Sequence, residues 1–168
     1  GDAELLDVSL HSETTEEACM EAMNRVLPPA LHVSRVRIVD DRFPKVSAAL
    51  RQAEYRITLF GGDALKIAEA VPNFLAQDEI MALRKTKRAE SMVIIRPMIH
   101  LLEAQTDAEK KSVVLTARVS FVEAATLKPD LLVSSLCTFA GVEVPKCEIR
   151  RTCLLGEKDG QSVPLIDL

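Results

Sequence analysis

"SVVLTARVSF", Ser112–Phe121, alternates without a break: Val113, Leu115, Ala117, Val119 and Phe121 fall on one side, and Val114, Thr116, Arg118 and Ser120 on the other. Side chains of a strand point to opposite faces in turn, so this pattern is the clearest strand signal in the chain. Reading outward, "TDAEKK" (106–111) is a polar, hairpin-like connection back to "SMVIIRPMIHLLEA" (91–104). That stretch reads as one long buried strand in which Pro97 marks an edge or a bend. Downstream, Pro129 fits the first turn of a helix with Leu132, Leu136, Phe139 and Ala140 as its apolar stripe, and Gly141 suits its C-terminal cap. "KCEIRRTCLL" (146–155) is the last predicted strand, and a polar tail with Gly156 and Gly160 follows.

Upstream lies "AEYRITLF" (53–60), a strand with Tyr55, Ile57 and Leu59 on one face. Gly61-Gly62 then turns the chain, and Asp63 is placed to cap the helix "ALKIAEAVPNFLA", which Pro72 shortens or kinks. "QDEIMALR" (77–84) predicts one or two further helical turns. The order from Ala53 to Leu155 is therefore β-α-β-β-α-β, which predicts an α+β, ferredoxin-like domain with an antiparallel sheet and both helices on one face.

The first part of the chain carries a shorter pattern. "AELLDVSL" (3–10) sets Leu6, Val8 and Leu10 against Asp7 and Ser9 and predicts a strand. "TTEEACMEAMNRVLPP" (14–29) opens on Thr14 with Glu17 three residues later, a capping-box spacing, and places Ala18, Cys19, Ala22, Met23 and Val26 on one helical face before Pro28-Pro29. "LHVSRVRIV" (31–39) predicts a second strand whose apolar parity shifts, which requires a bulge near Ser34 or Arg35. The polar, irregular run from Asp40 to Gln52 is the boundary, so the expected organisation is a β-α-β half unit over 1–45 and the ferredoxin-like domain over 46–168.

Composition narrows the function. The chain has 168 residues, 48% of them apolar, which is enough for a real core, but only 4% aromatic and no Trp, which leaves few rings for stacking on bases. Cys19, Cys137, Cys147 and Cys153 form no CxxC pair, and His11, His32 and His100 lie far from them in sequence, so zinc-ligand spacing is missing. The cysteines also lack the grouping of an iron–sulfur site, and Gly61-Gly62 is not followed by the Lys-Ser/Thr of a P-loop. No cofactor is expected, and enzyme activity within this chain alone is the weakest class. With no run of ~18 apolar residues, the expectation is a cytoplasmic protein with no membrane partner.

"ELLDVSL", "AEYRITL", "RKTKRAESMVIIRPMI" and "EIRRTCLL", taken in order, resemble the bacterial radical-SAM-linked protein family, a domain of unknown function fused to or encoded beside a cobalamin-binding radical SAM domain. The likeness runs from Glu4 to about Leu155. The family usually begins with further residues, and where it commonly has an acidic residue before "IRP" this chain has Val93 or Ile94. The resemblance implies an accessory domain with a link to RNA or tRNA modification. It carries over no catalytic residues.

Four of the five residues from Arg84 to Arg88 are basic in a chain of net charge −4. Arg84, Lys85, Lys87 and Arg88, with Arg96, Arg150 and Arg151, are the residues that could hold the phosphates of a nucleic acid, because guanidinium and ammonium groups bind them by charge and by paired hydrogen bonds. A solvated strand edge that discourages aggregation is the competing explanation of the same run. The favoured function is a non-catalytic module that recruits or docks substrate, RNA or tRNA among them, for a radical SAM partner. A purely structural interaction domain and a fragment of an RNA-modifying enzyme stay open beside it. Homodimerisation, or docking onto a radical SAM partner domain, is also expected, since an unpaired β-α-β piece leaves sheet edges and a helix face to be covered.

Overall fold

The computed structural model describes residues 4–85, 90–107, 109, 112–123 and 125–168. The chain forms two compact units, one of Leu5–Ala49 and one of Glu4 with Leu50–Leu168. Among the described residues it is a mixed α+β protein with four α-helices and an antiparallel main sheet.

The smaller unit holds α1 (Glu16–Val26) and the single turn α2 (Val46–Ala49). Thr15, not Thr14, caps α1, its hydroxyl accepting from the Ala18 amide at 3.2 Å. The strands expected over 3–10 and 31–39 are not formed among the described residues. Side chains meet the backbone there in place of a ladder. Asn24 bridges Val33 by donating to its carbonyl (2.9 Å) and accepting from its amide (2.8 Å). Glu16 accepts from the Ile38 amide, and Asp7 from the Val46 amide, each at 2.9 Å. The apolar stripe expected on α1 stays open, with Val26 at 80% exposure and no buried residue on the helix.

The larger unit follows the alternation read from the sequence more closely. Its main sheet runs β4 (Ile99–Asp107), β5 (Ser112–Val122), β1 (Gln52–Phe60), β7 (Cys147–Lys158), β8 (Gln161–Pro164), every neighbour antiparallel, with the two-residue β6 (Ala125–Thr126) on β5. Ala53, Tyr55, Ile57 and Leu59 stand opposite Val119, Ala117, Leu115 and Val113, and all eight are buried. That face is covered by α3 (Ala64–Leu75) and α4 (Pro129–Ala140), which bury Ile67, Val71 and Phe74 and Leu132, Val133 and Leu136. Phe74 and Phe139 meet edge to face at 5.6 Å where the helices pack. The polar tail is a strand as well: β8 turns back on β7 through Asp159-Gly160, both at positive φ.

Two elements differ from expectation. "QDEIMALR" contributes a strand, β2 (Met81–Lys85), in place of helical turns. The long strand expected over 91–104 is two strands, β3 (Glu90–Ile94) and β4, separated by a 3-10 turn at Arg96–Met98. Pro97 has no amide hydrogen to give to a ladder, so the chain leaves one sheet there and enters another. Among the described residues β2 and β3 pair only with each other, Met81 opposite Ile94 through Lys85 opposite Glu90, as a separate two-stranded ribbon.

Candidate functional site

The ribbon and the start of α4 line an open, solvent-facing pocket of about 600 Å³. Leu83, Arg84 and Lys85 come from β2, Thr126 from β6, and Lys128, Asp130, Leu131 and Ser134 from the entry into α4. The α4 end is shaped by sequence. Pro129 occupies the first turn, where a missing amide costs nothing, and Lys128 in extended conformation is the cap residue with no side-chain cap bond. The Leu131 and Leu132 amides both return to the Lys128 carbonyl, at 3.1 and 3.2 Å.

Arg84, Lys85 and Lys128 thus approach one space from two elements far apart in sequence, with Asp130 as the acidic counterweight. Lys85 also pairs with Glu90 at 3.0 Å, both side chains well exposed, so that contact is weak and exchangeable. The cavity's hydroxyls already donate to backbone carbonyls, Thr126 to Val122 at 2.6 Å and Ser134 to Leu131 at 3.1 Å. The cations are therefore its main charged donors, and the positive end of the α4 dipole adds to them. A pocket of this kind suits a phosphate or another compact anion.

The other residues singled out from the sequence do not converge here. Lys87 and Arg88 lie outside the described residues. Arg96 is half-buried and turned inward, its Nε donating to the Leu75 carbonyl at 3.0 Å, so it closes the C-terminal end of α3. Arg150 and Arg151 point to opposite faces of β7. Arg151 stands opposite buried Tyr55 on the helix-covered face, its guanidinium 5.5 Å above the Phe121 ring and bonded to both Glu4 carboxylate oxygens, the longer contact 2.6 Å. Its Nε is buried with no acceptor among the described residues. Hydrogen bonding to Arg151 holds the Glu4 carboxyl below its usual range, and burial pushes the Tyr55 hydroxyl up.

Arg150 is on the open face of the sheet, directly opposite Arg56. Two like charges in that position repel by some tenths of a kcal/mol, roughly 0.2–1. Beside them Arg118 pairs with Glu54 at 3.1 Å, Thr152 donates to Glu54 at 3.3 Å, and His100 bonds Ser120 at 2.9 Å. Desolvation, then the Arg118 charge, lowers the His100 pKa. Among the described residues the sequence-predicted cluster therefore divides: Arg84 and Lys85 line the pocket, Arg96 and Arg151 turn inward, and Arg150 lies on the open face of the sheet. Lys128, which sequence reasoning passed over, belongs with Arg84 and Lys85; its only sequence signal was its position just before Pro129.

No group of three or more His, Cys, Asp and Glu side chains arranged to hold a metal occurs among the described residues. Among them, no helix is long and apolar enough to cross a membrane.

Fold and cavity together define an α+β domain with an antiparallel sheet and a basic pocket at a helix start. The chain belongs to a protein family conserved in bacteria and described as uncharacterized (DUF2344), whose model matches residues 1–129. The match takes in the ribbon and Lys128 and ends before β7. No curated protein matches the chain.

Proposed function

We propose that this chain is a non-catalytic accessory module that recruits a phosphate-bearing substrate, RNA in particular, for a radical SAM enzyme. The observation that carries the reading is the convergence of Arg84, Lys85 and Lys128 on one cavity of about 600 Å³ at the start of α4. The radical SAM partner rests on the family resemblance of the ordered motifs. We further read the larger unit as ferredoxin-like. The sheet order β4-β5-β1-β7, with one helix between β1 and β4 and another between β5 and β7, supports this, the ribbon β2–β3 being an insertion after α3.

Three cations against phosphates release counterions, so affinity for RNA should fall with a log–log salt slope of about −2 to −3. Fluorescence anisotropy with a structured RNA at low and moderate salt measures it. Arg84→Ala, Lys85→Ala and Lys128→Ala should each weaken binding and reduce the slope by about 1. Wild-type protein that fails to bind at low salt would sink the RNA reading.

A further inference from the structure

The β2–β3 ribbon has one face turned into the protein and one turned out, and Leu83 and Lys85 of the outer face also reach the rim of the cavity beside α4. Ile80, Ala82 and Ile95 are buried, and the Ile95 amide donates to the Ile80 carbonyl at 2.8 Å, extending the pairing by one bond. On the outer face Met81 lies opposite Ile94 and Leu83 opposite Met92, and all four side chains are 42–55% exposed. Four large apolar side chains in two adjacent cross-strand pairs form a continuous patch on a ribbon that has no third strand among the described residues. A two-stranded ribbon is marginal on its own, and a contiguous exposed patch marks an interaction surface.

The charges along that face are ordered. Glu79 is exposed at the base, Met81 and Leu83 follow, and Lys85 ends the strand. The sequence reads acid, apolar, apolar, base at alternate positions, the spacing that places side chains on one side of an extended chain; Glu79 precedes β2, and Glu90 stands opposite Lys85 at the other end. Turned end for end, the face is complementary to itself. A two-fold axis near Ala82 and Val93 sets Met81 over Leu83 of a second copy, Ile94 over Met92, and Lys85 over Glu79. Lys85 can exchange its exposed partner Glu90 for the new one at little cost.

We propose that this outer face is a self-association surface, on which a second copy of the chain packs antiparallel with its ribbon apolar face to apolar face. Isologous two-fold contact is the commonest route to soluble oligomers. Five-residue strands are about 17 Å long, so two such faces remove roughly 800 Å² in all, short of the ~1,200–2,000 Å² of stable complexes. The dimer is therefore weak and reversible. The proposal does not rest on RNA recruitment, although Lys85 takes part in both and the two would compete for it.

Sedimentation velocity of the whole chain from micromolar to millimolar concentration tests it, with no RNA present. A concentration-dependent dimer is expected. Met92→Asp and Lys85→Glu should each weaken it about tenfold or more, and the double exchange Glu79→Lys with Lys85→Glu should bring association back to within about threefold of wild type. The exchange tests complementarity apart from folding, which far-UV circular dichroism of each variant checks. A chain that stays monomeric to millimolar concentration, leaving the face to a different protein or to lipid, overturns the proposal. So does a double exchange no better than Lys85→Glu alone.

Discussion

Arg150 and Arg151 are adjacent in sequence and have different jobs. Arg151 ties Glu4, Tyr55 and Phe121 together on the covered face, whereas Arg150 stands beside Arg56 on the open one. Removing Arg151 leaves a buried tyrosine hydroxyl without its neighbour and a ring without its cation, so Arg151→Ala should cost about 1–3 kcal/mol in urea denaturation. Arg151→Lys should recover only part of this, because an ammonium cannot stack and bond at once. Arg150→Ala should change the same unfolding free energy by no more than about 0.5 kcal/mol. Two further residues set an acid limit. Glu4 has a folded pKa below its ordinary 4.5, so its contribution is present above that value and is lost as pH falls through the folded pKa. His100 has a folded pKa below its ordinary 6.5, so the unfolded chain takes up the proton first and stability falls as pH drops below that value. Both effects have one sign. Melting temperature should decline from neutral pH toward pH 5, and His100→Gln should flatten that decline.

At the scale of elements, what could be read from the sequence was what local chemistry decides. The alternation of Ser112–Phe121 gave β5 and its buried parity, and Pro129 with Gly141 gave both ends of α4. Gly141 has φ +68°, where a Cβ is strained, so Gly141→Ala should destabilise by about 1 kcal/mol although open space surrounds the position. Heat or urea unfolding checks it. The ribbon was hidden for a physical reason. Ile80, Met81, Ala82 and Leu83 are consecutive apolar residues, and such a run carries neither the period of a helix nor that of a strand. Only pairing with β3 decided it, and that pairing depends on Pro97 ending a strand that would otherwise run on. The expected strands of the smaller unit failed in the opposite way: Leu6, Val8 and Leu10 alternate well, but a strand needs a partner, and none stands beside them among the described residues. Lys128 escaped notice because the cavity is made by tertiary packing of β2 against the start of α4, which no spacing in the sequence encodes.

For the whole molecule, a chain of net charge −4 can bind an anion only where its cations are grouped, and among the described residues the larger unit groups them in two places. One is the cavity of Arg84, Lys85 and Lys128 beside α4; the other is Arg56 and Arg150 on the open sheet face, with Glu54 and Glu148 on the same strands. The central claim is that phosphate is taken at the first. The direct measurement is a structured-RNA titration across salt, comparing the triple variant Arg84→Ala, Lys85→Ala, Lys128→Ala with the double variant Arg56→Ala, Arg150→Ala. The expected result is loss of most of the salt-dependent affinity in the triple variant, with the slope reduced by about 2–3, and near wild-type binding in the double. Equal binding by the triple variant and wild type, or loss in the double variant alone, would contradict the account.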